Sequence, residues 1–220
     1  DADGNMMWHR DFGGTGADGA KTACADGRGG VIVGASSNSN DGDVTHQITT
    51  NHSSAWVMDV DSSGSIVWDN CFGGGYEIVN SICRAVDGSI WLAAINLVQD
   101  SFEVNAYYGS YDAWFVHADS AGAFLSARVL GSSRQDEGTM IYPLSNGSVI
   151  AGGYYNANDG AFSPLDISDP VIGFDGFLVI FAPYAEEVNY VFGGGHSVAG
   201  YPNPANDYIH IAGISVAPYE

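Results

Sequence analysis

The sequence predicts an all-β protein, a β-propeller-like array of about three four-stranded antiparallel blades, each about 60 residues long. Three observations lead there. Thirty glycines are spread through 220 residues among Val, Ile, Tyr, Phe and Trp, the composition of short strands joined by tight turns. No long stretch keeps the 3.6-residue period of a helix. The chain also repeats itself.

The repeat sets the order of elements. "DADGNMMWHRDFGG" at 1–14 matches "DSSGSIVWDNCFGG" at 61–74, aligning Gly4 with Gly64, Trp8 with Trp68 and Phe12 with Phe72. "DSAGAFLSARVLGS" at 119–132 keeps Asp119, Gly122 and Leu130, and "APYAEEVNYVFGGG" at 182–195 keeps only Phe192 and Gly193. Within each unit a short strand runs into Asp-Gly or Asn-Gly ("TACADG", "ICRAVDG", "MIYPLSNG") and a strong strand follows ("GVIVGASS", "SIWLAAIN", "SVIAGGYY"). A polar loop then leads to an aromatic strand ("SAWVMDVD", "DAWFVHAD", "DGFLVIFA"), a D-x-x-G turn and a closing strand. Asn-Gly and Asp-Gly supply the positive φ of two-residue hairpin turns, so neighbouring strands are expected to pair antiparallel.

These boundaries predict a closing strand over 1–14, blades over about 15–74, 75–132 and 133–195, and a separate segment from 196 to 220. A β-solenoid uses shorter repeats and parallel coils without hairpins, which favours the propeller. Three blades leave open edges, since closed propellers use about four to eight. The array is therefore expected to be a fragment of a larger propeller, to be completed by a second chain as a homo-oligomer, or to stay open and be covered. Asp1 stands without an initiator Met, which predicts a leader removed or not included.

Composition narrows the partners. Six Lys and Arg against 26 Asp and Glu give a formal charge of -20, which repels phosphate backbones and anionic lipid, so no nucleic-acid partner is expected. No apolar run is long enough to span a bilayer. Cys24, Cys71 and Cys83 allow at most one internal disulfide; Cys71 and Cys83 are the closest pair, and free buried thiols are the equal alternative.

The combination of "FGG", "DGRGGVIVGASSNSNDGDVTH", "SAWVMDVDSSGSIVW" and "FGGG" resembles the propeller repeats of large surface and secreted proteins of the Bacteroidetes type, over residues 1–195. The segment "YPNPANDYIHI" differs. Pro202 and Pro204 hold the chain extended and exclude a central strand, and "DYIHI" then alternates like the first strand of a new sheet. It is similar to the opening of the type A C-terminal sorting domain read by the type IX secretion system, carried by Tyr201, Pro202, Asn203, Pro204 and Ala205. The resemblance implies the type IX machinery as a partner and a secreted or outer-surface location. Only Ile214 to Val216 could add a second strand, so the sorting domain is incomplete as given.

For chemistry, the loop "SNSNDGDVTH" places hard oxygen donors at Asn38, Asn40, Asp41 and Asp43, and "YNANDGAF" echoes it with Asn156, Asn158 and Asp159. Calcium loops use this composition, which makes calcium the candidate cofactor, with Asp41, Asp43, Asn38, Asn40 and Asp159 its ligands. Asn, Asp and Gly are also the ordinary residues of tight turns, and the terminal Glu of the twelve-residue calcium loop is missing. The second unit has only Asp100 at a comparable place. His46 and His52 lack the partners of a zinc site, no nucleophile elbow is present, and the spacing of Gly4 and Gly64 from Trp8 and Trp68 departs from the sialidase-type Asp-box. Trp8, Trp56, Trp68, Trp91 and Trp114 are expected to pack between blades, with an aromatic platform for sugars as the second option. The expectation is an exported, non-enzymatic binding or scaffold module, adhesin-like, with carbohydrate or protein as ligand. Its alternative is a secreted hydrolase or lyase acting on polysaccharide, with no catalytic residue assigned.

Overall fold

The structure, a computed structural model, describes residues 3–6, 8–47, 52–97, 106–162, 173–181 and, by backbone alone, 188–192. It is all-β. The first sheet runs in the order β1 (Asp18–Ala25), β2 (Val31–Ser37), β3 (Ser54–Val60), β4 (Ile66–Phe72). The second follows as β5 (Ile78–Arg84), β6 (Ile90–Asn96), β7 (Asp112–Ala118), β8 (Phe124–Leu130). The third is β9 (Glu137–Pro143), β10 (Val149–Tyr155), β11 (Asp175–Phe181), β12 (Val188–Phe192). Every pairing within these sheets is antiparallel, as the hairpin signals predict. The one helical element among the described residues is a 3-10 turn at Gly160–Phe162.

The hairpins differ from expectation in one respect. Gly88 N donates to Ala85 O and Ala85 N to Ser89 O (3.0 and 2.8 Å), and Gly147 and Leu144 repeat the pattern with Ser148. Only the glycine of each pair has positive φ, 90° at Gly88 and 88° at Gly147. These are three-residue loops with glycine in the left-handed position, not two-residue turns, which need positive φ at both centres. The D-x-x-G turns are built the same way, with Gly64 and Gly122 at φ 81° and 80°. Their aspartates explain the motif: Asp61 Oδ1 accepts from Ser63 N and Ser65 N, and Asp119 Oδ1 from Ala121 N and Ala123 N, all at 2.8 to 3.0 Å.

The sheets stack in series. β7 alternates so that Trp114 and Val116 face the first sheet while Ala113 and Phe115 face the third, and all four are buried. The interface of sheets one and two joins Ile32, Val57 and Phe72 to Val79, Ile82, Leu92 and Trp114. The interface of sheets two and three joins Cys83, Ala93 and Phe115 to Ile141, Ala151, Phe177 and Val179. A third cluster, including Ala35, Trp56, Met58 and Cys71, lies on the other face of sheet one, where Phe12 and Val44 cover it. Each later sheet thus presents its first strand to the sheet before it, β5 against β1 and β2, β9 against β5, β6 and β7.

The closing strand expected over 1–14 forms no strand among its described residues. β4 and β8, by contrast, pair with the aromatic strands that precede them. Its packing role survives. Trp8 lies over the Gly64 turn, 3.4 Å from where a Cβ would stand, as Trp68 lies over Gly122 at 2.5 Å. Tryptophan therefore packs between successive units at both places.

The Gly122 turn yields a test. Gly29→Ala meets open space at φ 98° and should cost about 1 kcal/mol for the backbone alone. Gly122→Ala adds a Cβ against the Trp68 ring, and the loss should rise to about 2–4 kcal/mol. Urea denaturation midpoints read the difference; equal losses would mean that the Trp68 contact contributes nothing.

Candidate functional site at the long-loop end

The two ends of the stacked sheets differ. Short turns occupy one end: 26–30, 61–65, 85–89, 119–123 and 144–148. The chain leaves β2, β6 and β10 at the other, beside the links 73–77 and 131–136 that carry it from sheet to sheet. The candidate calcium ligands Asn38, Asn40, Asp41, Asp43 and Asp159 lie at this second end, so its construction decides what they can do.

A carboxylate at the start of each first strand holds it together. Asp18 Oδ2 accepts from Gly14 N (2.8 Å) and Ser39 Oγ (2.7 Å), and Ser37 Oγ donates to its Oδ1. Burial pushes the Asp18 carboxyl up, but the bonds from Ser37, Gly14 and Ser39 outweigh it and hold the group below the usual range. Fully buried Glu77 does the same, accepting from Gly75 N at 2.9 and 3.0 Å and from Asn96 Nδ2 at 3.2 Å. Asp136, also fully buried, accepts from Ser132 N (2.5 Å), Ser132 Oγ (2.9 Å) and Asn156 N (3.1 Å). In each case the acid joins the link before its strand to the end of the neighbouring second strand.

The candidate calcium ligands take part in this clamp. Asn38 Oδ1 accepts from Ala17 N (2.5 Å), Asp41 from Thr15 N (2.7 Å) and Thr15 Oγ1 (3.0 Å), and Asp43 Oδ2 from Gly13 N (3.1 Å). Asn40 is exposed. In the third unit Asp159 Oδ1 accepts from Ser133 N (2.6 Å), and Ala161 N donates to Gly131 O as Asp43 N does to Gly13 O. A Cβ on Gly42 or Gly160 would stand 2.3 or 2.4 Å from the carbonyl of Gly13 or Gly131, so both echoes need glycine. The oxygens of Asn38, Asp41, Asp43 and Asp159 face the N–H groups of a folded-back glycine loop, and among the described residues no three His, Cys, Asp or Glu side chains form a group able to hold a metal ion. Asp100 and the sorting residues Tyr201, Pro202, Asn203, Pro204 and Ala205 lie outside the described residues.

The other candidates are dispersed. His46 Nδ1 stands 3.4 Å from Asp69, His52 packs on Tyr76 with ring centroids 4.3 Å apart, and His117 stacks on Trp91 at 4.1 Å. Trp56 and Trp114 are buried, and Trp91 stacks between His117 and Phe181, so packing is what these side chains do. The three cysteines are free. Cys71 and Cys83 sit in different core clusters, and burial pushes the Cys24 and Cys83 thiols up to about 11 and about 12, which keeps them protonated and unreactive.

Sequence reasoning missed two features. One is the clamp acid itself. It stands four residues after Gly14, Gly73 and Ser132, a spacing hidden by a one-residue difference in link length and by the change from Asp to Glu. The other is a set of exposed aromatics at this end: Tyr76, Tyr107, Tyr108 and Phe174. Tyr76 takes φ 72°, a conformation that costs a non-glycine residue on the order of 1–2 kcal/mol and that marks functional positions more often than ordinary ones. The chain matches no protein-family model and no curated protein.

Asp112 adds a pH-sensitive element. Its side chain is fully buried beside Gly131, Oδ2 accepts from Tyr108 N (2.8 Å), and Oδ1 has no hydrogen-bond partner. Burial first, then the Asp136 charge, push its carboxyl up to about 6. Asp136 is raised too, by burial first and by Asp159.

Two outcomes follow from these groups. Glu77→Ala leaves Gly75 N–H and the Asn96 amide without their acceptor, and should cost about 3 kcal/mol in chemical denaturation. A loss under about 1 kcal/mol would show that the clamp is dispensable. For Asp112, the folded state retains a proton between about pH 4 and about pH 6 that the unfolded chain gives up. Stability therefore falls as pH rises through that window, by on the order of 2–3 kcal/mol. Asp112→Asn should flatten most of this slope and raise the thermal midpoint at pH 7; an unchanged profile would remove Asp112 from the account.

Proposed function

We propose that this chain belongs to an exported, non-enzymatic β-propeller-type module that binds extracellular carbohydrate at its long-loop end and reaches the cell surface or medium by type IX secretion. The exposed Tyr76, Tyr107, Tyr108 and Phe174 on a clamped loop scaffold carry the ligand part of this reading. Aromatic rings on a rigid frame offer large apolar faces at low ordering cost, and sugar rings present C–H faces to them. Tyr108 is set over Gly131 and Gly160, and Phe174 meets Tyr154 edge-on with centroids 4.9 Å apart, so the rings are held. Four-stranded sheets joined in series agree with blades.

The resemblance of Tyr201 to Ala205 to a sorting signal supports the export route, and the -20 charge suits a soluble extracellular molecule. Asp41 and Asp159, the acids at this end that a polysaccharide hydrolase or lyase would recruit, are each bonded to backbone donors of their own unit, so binding is preferred over catalysis.

Screening against immobilised polysaccharides tests the ligand. At least one should be retained at micromolar to millimolar level, and Tyr76→Ala or Phe174→Ala should weaken it about tenfold with the fold unchanged. Retention of none, or binding that ignores both substitutions, would sink the carbohydrate reading. Export is read separately, by secretion from a type IX-competent bacterium of the chain with and without Pro202→Ala and Pro204→Ala.

A further inference from the structure

Each first strand carries a one-residue bulge at the same place. The ladder to the second strand passes from Ala20 to Thr22 in β1, from Val79 to Ser81 in β5 and from Gly138 to Met140 in β9, leaving Lys21, Asn80 and Thr139 unpaired. All three stand three residues after the clamp acids Asp18, Glu77 and Asp136. A bulge re-aims the side chain of its extra residue, and such irregularities gather beside functional sites. Two of these side chains cross the seams between sheets. Lys21 Nζ donates to Asn80 Oδ1 (2.6 Å), and Asn80 Nδ2 donates to Gly138 O (2.8 Å). A polar line therefore runs from sheet one through sheet two to sheet three, with β5 in contact with both β1 and β9.

The bridge itself needs no charge. Asn80 reaches the third sheet with a neutral amide, so sheet packing does not account for an ammonium at position 21. Lys21 is the single lysine of a chain with 26 acidic residues. Even so, the ion pairs among the described residues are those of Arg28 with Asp26 and Asp59 and of His46 with Asp69. An ammonium has three donors, and Asn80 takes one of them. The side chain is exposed, which leaves two donors and the charge for an incoming anion. Asn80 stands four positions from Tyr76, about 13 Å of extended backbone, with the exposed Ile78 between them. A short glycan laid on Tyr76 therefore reaches the polar line.

The formal charge of -20 excludes a polyanion, which the whole molecule repels. A single carboxylate meets a different field. Electrostatic effects between exposed groups decay over about 8 Å at physiological ionic strength. The clamp acid Asp18 lies about 10 Å along the strand from position 21, its oxygens bonded to Gly14, Ser37 and Ser39. We propose that Lys21, steadied by Asn80, binds the carboxylate of a glycan that carries one acidic sugar at the end of an otherwise neutral chain, whose next rings lie on Ile78 and Tyr76. Binding of this kind rests on the carbohydrate reading above and adds to it a preference for an acidic end over a neutral one.

The test pairs neutral oligosaccharides with the same chains ending in a uronic acid and reads both affinities by calorimetry at about 0.05 M and about 0.5 M salt. The acid-ended forms should bind about fivefold more tightly at the lower salt, and the ratio should fall toward one at the higher. Lys21→Gln, which keeps a neutral donor for Asn80, should bring the ratio to one at both, and Lys21→Arg should retain it. Both variants should unfold at the midpoint of the parent protein, since position 21 is exposed. A ratio of one in the unsubstituted protein, or a preference that survives Lys21→Gln, overturns the proposal while binding of the neutral chains keeps the carbohydrate reading. Failure of both series to bind overturns the two together.

Discussion

The arrangement depends on one interaction: a carboxylate at the start of each first strand that gathers the backbone N–H groups of the link before it. A chain that leaves one sheet and begins the next within a few residues must turn sharply, and such a turn exposes donors that no ladder can use. Asp18, Glu77 and Asp136 accept them while also accepting from the end of the second strand. One side chain thereby fixes link, first strand and second strand together. Where this acid is buried, an unpaired charge would be costly, so the clamp is built only when all its donors are in place.

The clamp matters because the sheets mesh by close contact. Phe115 must reach Phe177 and Phe181, with centroids 6.3 and 5.4 Å away, while its neighbour Trp114 fills the other interface. A sheet displaced by a residue would turn these rings to the wrong sides. The opposite end is fixed by different chemistry, the Trp68 ring on Gly122 and the bond from Asn70 Nδ2 to Gly122 O (2.9 Å). Successive sheets are thus pinned by a polar contact at the long-loop end and by an aromatic one at the short-turn end.

Much of this was legible from sequence, for physical reasons. The D-x-x-G turns are local: aspartate bonds its own backbone and glycine alone takes φ near 80°, so Gly64 and Gly122 announce themselves. The strands follow from alternation and from the aromatic run in "SAWVMDV" and "DAWFVHA". Turn type was not legible, because Asp-Gly serves a two-residue turn and a three-residue loop alike, and closure by Ser89 or Ser148 decides between them. The donor set at Asn38, Asp41 and Asp43 was legible as oxygen-rich, but its partners in the fold were not. Its true partners, the N–H groups of 13–17, lie more than twenty residues away in the chain, and no local pattern reports that pairing. The exposed tyrosines were hidden for a related reason: Tyr76 is turned outward by its backbone, not by its neighbours in sequence.

The same economy explains how an acidic chain carries a varied loop end. The loops 38–53, 97–111 and 156–174 share little sequence beyond the residues that engage the links. The clamp engages an acid, a folded-back link and one donor from the end of the second strand, and the rest of each loop differs from unit to unit. The cost is concentrated charge. Asp112 and Asp136 are both buried and both raised toward neutrality, with Asp159 adding to the field on Asp136. Asp112, its carboxyl pushed up to about 6, therefore loses its charge as the medium turns acidic, and it is the group that accepts from Tyr108 N. That places the pH-sensitive carboxyl directly behind the exposed Tyr108, whereas Tyr76 stands on a different link, beside the Glu77 clamp.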